Sequence, residues 1–351
     1  MTQYEVTALN LGETLDKLIT LDPRGYGVCN ILYKGAREYT GYPLTMNMAK
    51  KLDAILKPDD LVYIITGFVL RPHKHAETDG IIGSVLLARA LELAYKVKPV
   101  LICQEENIPA IAPLAAVCRL HAYFTIEEVQ EFPTALAAVP FTKDLAKANE
   151  QAEKLAAYNP KAVIAIEAAG ANELGVYHNA TGLDMTELEA KTDILFQLLK
   201  DKGVANFAIG DLGNETGMGA IADYIKENIP YAQKDACRCG CGGGLCARTA
   251  ADTIITATVS DWAAYGLCAA IAWLRGDVKI MHTAELEKEA IYAASRAGMV
   301  DMYGALLPAI DGVNWDMNAA IVSIMRGFVE SSLELVDTCK TWFEKVIDLQ
   351  K

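Results

Sequence analysis

The chain alternates short, almost continuously apolar runs with longer segments whose apolar positions recur at helical spacing. The short runs cover residues 28–33, 61–66, 99–103, 162–166, 205–209 and 253–259. Strands buried on both faces of a parallel sheet read this way. The helical spacing covers residues 45–56, 84–95, 145–158, 185–201, 219–227 and 262–275, and everything from Ala284 onward reads as helix. The alternation predicts an α/β fold: a doubly wound, mainly parallel, Rossmann-like three-layer sheet with a helical C-terminal cap over 284–351. No repeat, low-complexity tract or linker divides the chain, so residues 1–351 are expected to form a single domain.

Ligands in such folds bind beyond the carboxyl ends of the strands, and four of these loops have unusual compositions. The first runs from Thr66-Gly67-Phe68 through Glu77-Thr78-Asp79-Gly80 to Gly83. Its acids lie beside a helix N-terminus, where Glu77 and Asp79 suit proton transfer or metal ligation; Thr78 or Asp79 also reads as a plain helix cap. The second runs from Glu167 through Gly170 to Tyr177-His178-Asn179. His178 is its candidate base, with a structural histidine as the alternative. The third, Gly210-Asp211-Leu212-Gly213-Asn214-Glu215-Thr216-Gly217-Met218-Gly219, carries four glycines among acids and amides. It lacks the Gly-Lys-Ser/Thr of a P-loop and suits a polar ligand or a cation. The fourth is Ser260-Asp261-Trp262, expected to cap its own helix and to set Trp262 under a pocket.

Composition narrows the partners. Hydrophobic residues make up 52% and charged residues 22% of 351, enough for a large core. A net charge of −13 argues against nucleic acid and anionic membranes. The apolar stretch 253–274 is interrupted by Ser260-Asp261 and reads as a strand, a turn and a buried helix rather than a membrane span. With no leader pattern and nine cysteines, a cytoplasmic location with reduced thiols is expected. Cys237, Cys239, Cys241 and Cys246 fall within ten residues. Their spacing departs from common zinc frameworks and no histidine is near in sequence. They read first as a loop of reduced thiols, and second as a zinc or iron–sulfur site. Trp315, Met317, Ile324 and Phe328 form either a homodimer face or part of the core.

Taken in order, seven pieces resemble the D-glutamate cyclase-like C-terminal domain family. They are Asp22-Pro-Arg-Gly25, Thr66-Gly67-Phe68, Glu77-Thr-Asp-Gly80 with Gly83, Ala165-Ile-Glu167 with Gly170 and Gly175-x-Tyr177-x-Asn179, Gly210-Asp211 through Gly219, Val259-Ser-Asp-Trp262, and Ile310-Asp-Gly312. Asp261 stands where the resemblance leads one to expect asparagine. In the family's animal enzyme a separate domain precedes this one, and no part of the 351 residues resembles that domain.

The resemblance implies cyclisation of D-glutamate to 5-oxo-D-proline with loss of water, a lyase-type reaction on a small amino acid. A non-catalytic small-ligand binder or a subunit of a split enzyme is the alternative, and a thiol- or metal-dependent protein centred on Cys237–Cys246 is a third. Asp79, Glu77, Glu167 and His178 are then the candidate catalytic groups. Thr66, Gly67, Gly80, Gly83, Gly170, Tyr177, Asn179, Asp211, Gly213, Asn214, Glu215 and Trp262 are the candidate substrate contacts. Backbone N–H groups from Gly80 to Gly83 are expected to hold a substrate carboxylate, with Arg24, Arg71 and Lys74 as countercharges. So many acids beside an anionic substrate call for protonation or a bridging cation. A divalent ion such as Mg²⁺ on Asp79, Glu167 and Asp211 meets that need.

Overall fold

The computed structural model describes residues 2–334. Its centre is a seven-stranded, all-parallel sheet. In chain order the strands are β1 Leu61–Thr66, β2 Lys98–Gln104, β3 His121–Tyr123, β4 Ala135–Phe141, β5 Ala162–Ile166, β6 Ala205–Gly210 and β7 Thr253–Thr256. In space they run β3-β4-β2-β1-β5-β6-β7. The chain moves outward from β1 in one direction, then returns to place β5 on its other flank. Right-handed crossovers in opposite directions put helices on both faces. The strand order therefore reverses between β1 and β5, where a crevice opens beyond the strand ends.

Every residue of β1 and β5 is buried, as their unbroken apolar runs predict. Helices Ile81–Tyr95 and Leu44–Ile55 pack against Ser260–Arg275 on one side, and Leu145–Ala156 packs against Thr192–Asp201 on the other. Helix Ser260–Arg275 is buried over all but its last turn. Its apolar length is that of a core helix, and among the described residues no helix is long and apolar enough to cross a membrane.

Several elements differ from the sequence expectation. Residues 28–33 begin a helix, Val28–Thr40, rather than a strand. The residues it buries are Cys29, Leu32, Gly35 and Ala36, a helical period that the β-branched start conceals. Strands β3 and β4 were not anticipated, and β4 (ALAAVPF) is alanine-rich with a proline near its end. The N-terminal helix Gln3–Ile19 was not anticipated either; a capping box between Thr2 and Glu5 starts it. The expected helix over 185–201 starts only at Thr192, and that over 219–227 splits into a 3₁₀ turn, Gly219–Ile221, and a short helix, Ala222–Asn228. The expected strand over 253–259 ends at Thr256.

The C-terminal part is not wholly helical. Helix Ala284–Arg296 is followed by a loop with a small hairpin, Ala309–Ile310 against Val313–Asn314, and then helix Trp315–Glu334. Residues 335–351 of the expected cap lie outside the described residues. Met317, Ile324 and Phe328 are exposed, whereas Trp315 is partly buried with the Lys288 ammonium 4.0 Å above its ring.

Candidate active site at the strand ends

All four loops converge at the β1–β5 crevice. Asp79 precedes helix Ile81–Tyr95, yet its carboxylate accepts N–H groups from the start of the other helix: Ser260 N at 3.0 Å and Asp261 N at 2.8 Å. Asp261 reciprocates, with Oδ1 accepting Gly80 N at 2.9 Å and Gly83 N at 2.8 Å. Each aspartate thus covers the free N–H groups of the helix its partner begins. Gly80 and Gly83 allow this approach. A Cβ on Gly80 would lie 2.5 Å from that of Glu167, and one on Gly83 would lie 2.3 Å from Asp261 Oδ1.

This geometry corrects two expectations. The N–H groups of Gly80 and Gly83 are not free for a substrate carboxylate, because Asp261 already holds them. Asp261 caps the neighbouring helix rather than its own.

Glu167 sits at the end of β5 with φ of 44°, a left-handed backbone unusual for a non-glycine residue. Ser260 Oγ donates to its Oε2 at 2.6 Å. Asp79, Glu167 and Asp211 each offer an oxygen within 4.8 Å of the others. They line a cavity of about 270 Å³ together with Glu77, Asp311, Asn179, Asn214, Arg71, Phe68 and Met302. Its volume is near the lower end of ligand pockets, roughly 300–1,000 Å³. Asp211 Oδ1 and Asn214 Oδ1 are buried with no hydrogen-bond partner among the described residues. Arg24 pairs with Asp311 and reaches Asp211 at 4.0 Å.

The local field opposes ionisation. Burial, followed by the charge of Asp311, pushes Asp79 up to about 7. Burial raises Glu77, with Asp311 next among the causes; it raises Glu167, with Glu215 next, and Asp211, with Glu167 next. The Arg24 guanidinium counters part of this effect on Asp311, whose carboxyl is still raised by burial. Like charges in a dry pocket hold protons that isolated carboxylates would release.

Other predicted residues fall elsewhere. Glu215 turns inward and accepts backbone N–H groups from Asp211, Leu212 and Gly213 at 2.7–3.2 Å, so its carboxylate braces the loop. Gly213 backs onto Ile225, and Gly170 packs against Ala247 and Thr216. Gly67 lies against Gln104, whose Nε2 donates to its carbonyl at 2.7 Å. Thr66 Oγ1 is buried without a partner among the described residues, beside Gly80. Trp262 does not line the carboxylate cavity; it is fully buried, and its indole N–H donates to Asn318 at 2.6 Å. Tyr177 faces a separate groove of about 610 Å³, donates its hydroxyl to Asp193 and lies under Lys191. Lys74 is exposed in the turn before His75 and does not line the cavity.

His178 is buried with its Nε2 against thiols rather than the cavity's carboxylates, 3.1 Å from Cys239 Sγ and 3.5 Å from Cys241 Sγ, and the nearby acid is Asp184, outside the cavity. Burial lowers its affinity for a proton. Cys246 is separate from these thiols, a core residue donating to Ala247 O at 3.6 Å.

Sequence reasoning missed Glu189, whose buried carboxyl accepts Val69 N and Gln104 Nε2 and is pushed up to about 8 by burial. It also gave no role to Asp311, although Ile310-Asp-Gly312 carried the signal.

Comparison with known proteins bears on what this site belongs to. The model of the D-glutamate cyclase-like, C-terminal family matches residues 15–326. The chain belongs to this family. The D-glutamate cyclase-like match encloses every acid of the cavity, from Glu77 to Asp311, and the Arg24 that pairs with them. Among curated relatives, human "D-glutamate cyclase, mitochondrial" is 26% identical over 267 residues. That alignment covers 73% of this chain but 38% of the human protein.

Proposed function

We propose that this chain is an enzyme acting on a small dicarboxylic amino acid, closing glutamate to 5-oxoproline with release of water. The observation that carries the reading is the buried cluster of Asp79, Glu167 and Asp211 around a cavity of small-molecule size, in a chain of this family.

In the reaction the α-nitrogen bonds to the carbon of the γ-carboxylate (Cδ) and one of the two oxygens on that carbon leaves. The ammonium group loses two protons, and the same number depart with that oxygen as water. The site must therefore take protons at one point and return them at another, about a ring's width away. Glu167 and Asp211 suit this exchange: burial raises the proton affinity of both, and the charge of Glu167 raises that of Asp211 further, so one can hold a proton while the other is ionised. The ionised member faces the ammonium group, and the protonated member serves the departing oxygen.

Asp79, held by three backbone N–H groups, is the fixed wall of the pair. Arg71 at the cavity and Arg24 behind it are the cations available to the substrate's carboxylates. Protonated acids also remove the conflict between an acidic pocket and an anionic substrate.

A second reading rests on the same oxygen spacing. A hard divalent ion such as Mg²⁺ fits three carboxylate oxygens within 4.8 Å of one another. Asp79, Glu167 and Asp211 would hold it, and it would offset their mutual repulsion.

The test incubates the purified full chain with D- and L-glutamate, with Mg²⁺ or with chelator, and assays 5-oxoproline. Product from one isomer supports the proposal, and dependence on Mg²⁺ supports the second reading. A ligand-induced rise in melting temperature without product from either isomer would favour a binding protein and overturn the enzyme assignment.

A further inference from the structure

Joined to the cavity wall through His178, whose carbonyl accepts from Asn214, is a second cluster that the proposed chemistry does not use. Cys237, Cys239, Cys241 and His178 each offer one ligand atom, all within 4.8 Å of one another. Four edges of the cluster are short and even. His178 Nε2 is 3.1 Å from Cys239 Sγ and 3.5 Å from Cys241 Sγ, and Cys237 Sγ is 3.4 Å from Cys241 Sγ and 3.6 Å from Cys239 Sγ. A tetrahedral zinc ion with Zn–S of about 2.3 Å and Zn–N of about 2.0 Å requires S···S edges of about 3.8 Å and S···N edges of about 3.5 Å. The observed edges match that tetrahedron to within a few tenths of an ångström. A disulfide would instead bring one sulfur pair to about 2.05 Å and leave the imidazole without a role.

We propose that His178, Cys237, Cys239 and Cys241 form a structural zinc site of the Cys₃His type. Soft thiolates with one imidazole select a tetrahedral soft divalent ion over Mg²⁺ or Ca²⁺. Surrounding donors fit the assignment. The backbone N–H of Cys241 points to Cys239 Sγ, and that of Gly243 to Cys241 Sγ, each at 3.4 Å. Asn172 Nδ2 approaches Cys241 Sγ at 3.5 Å. N–H groups aimed at sulfur are the outer shell that steadies thiolate ligands. Four ligands from protein close the coordination sphere, as structural rather than catalytic zinc requires.

The site ties two segments that the sheet alone does not connect. Cys239 N donates to Gly182 O at 2.9 Å, and Asn214 Nδ2 donates to His178 O at 3.0 Å. Zinc would thereby fix the loop that carries Asn179 along the cavity wall.

The experiment measures metal in the full chain by mass spectrometry after dialysis against zinc, and then loads metal-stripped chain with Co²⁺. The expected results are one zinc per chain and the intense visible d–d and sulfur-to-cobalt bands of a tetrahedral thiolate site. His178→Ala and Cys239→Ser should lose the metal. Cys246→Ser should keep it, since that thiol lies outside the cluster. If the ligand variants do not fold, thiol labelling of the unmodified chain decides: zinc should protect three of the described cysteines from a reagent that reaches them without it. Chain that retains no zinc, gives octahedral cobalt spectra, shows no zinc protection or carries a Cys237–Cys241 disulfide overturns the proposal.

Discussion

Asp79 and Asp261 cap each other's helices. Asp79 uses both oxygens, with Oδ1 on Gly80 N and Asp261 N and Oδ2 on Ser260 N, whereas Asp261 holds Gly80 N and Gly83 N with Oδ1 alone. The exchange crosses about half the chain in sequence, at separations of 178–182 residues. It locks the two loops that flank the crevice.

That asymmetry predicts unequal tolerance to an amide. Asp261→Asn keeps the single accepting oxygen and removes a buried charge, so it should leave stability unchanged or raise it. Its new N–H₂ would face the Tyr265 hydroxyl, 3.5 Å from Oδ2. Asp79→Asn must turn a donor toward a backbone N–H and should cost about 1–3 kcal/mol. Urea denaturation of the two variants beside the parent chain measures the difference.

Stability should fall as pH rises toward neutrality. Asp79 binds its proton up to about pH 7 in the folded chain, against 3.8 for its ordinary side chain. Between those values the native state holds a proton that the unfolded state has released. The stabilisation is complete below about pH 4 and is lost as pH climbs through 7. Glu189, up to about 8, extends the trend. Asp211→Asn removes one member of the repelling cluster and should flatten the slope of melting temperature between pH 5 and 8.

Loss of a proton carrier should separate from loss of a brace. Glu167→Gln and Asp211→Asn should lower 5-oxoproline formation about 100-fold or more with the fold retained. Glu215→Gln breaks one of three backbone contacts and should act mainly on stability, by about 1–2 kcal/mol. Turnover and circular dichroism of the same preparations distinguish the two.

Trp262→Phe tests the reassignment of a residue expected at the pocket. The variant leaves Asn318 Oδ1 without its indole partner and should cost about 1–3 kcal/mol. Turnover per folded molecule should not change, and a selective rise in KM would return Trp262 to the site.

How far the sequence reached depended on whether a signal was local. Strands β1, β5 and β6 were legible because both faces are buried and apolar. Strand β4 was not: Ala135, Ala137 and Ala138 carry no strand preference, and its pairing with β2 makes it a strand. The acids Asp79, Glu167 and Asp211 followed from the rule that strand ends hold ligands, applied to loops of unusual composition. The partners of those loops did not follow. His178 meets Cys239 across 61 residues, and Asp79 meets Asp261 N across 182, distances over which spacing in sequence carries no information. Tyr177 and Trp262 were placed with their neighbours, but the backbone turns each side chain away from the cavity.

The most direct measurement is a crystal structure of the Glu167→Gln chain soaked with D-glutamate. The account predicts the amino acid in the 270 Å³ cavity, its ammonium toward Asp211 and a carboxylate toward an arginine, Arg24 or Arg71. Glutamate bound instead in the larger groove of about 720 Å³ between Leu145 and Arg248, with the carboxylate cavity free of ligand, would contradict it.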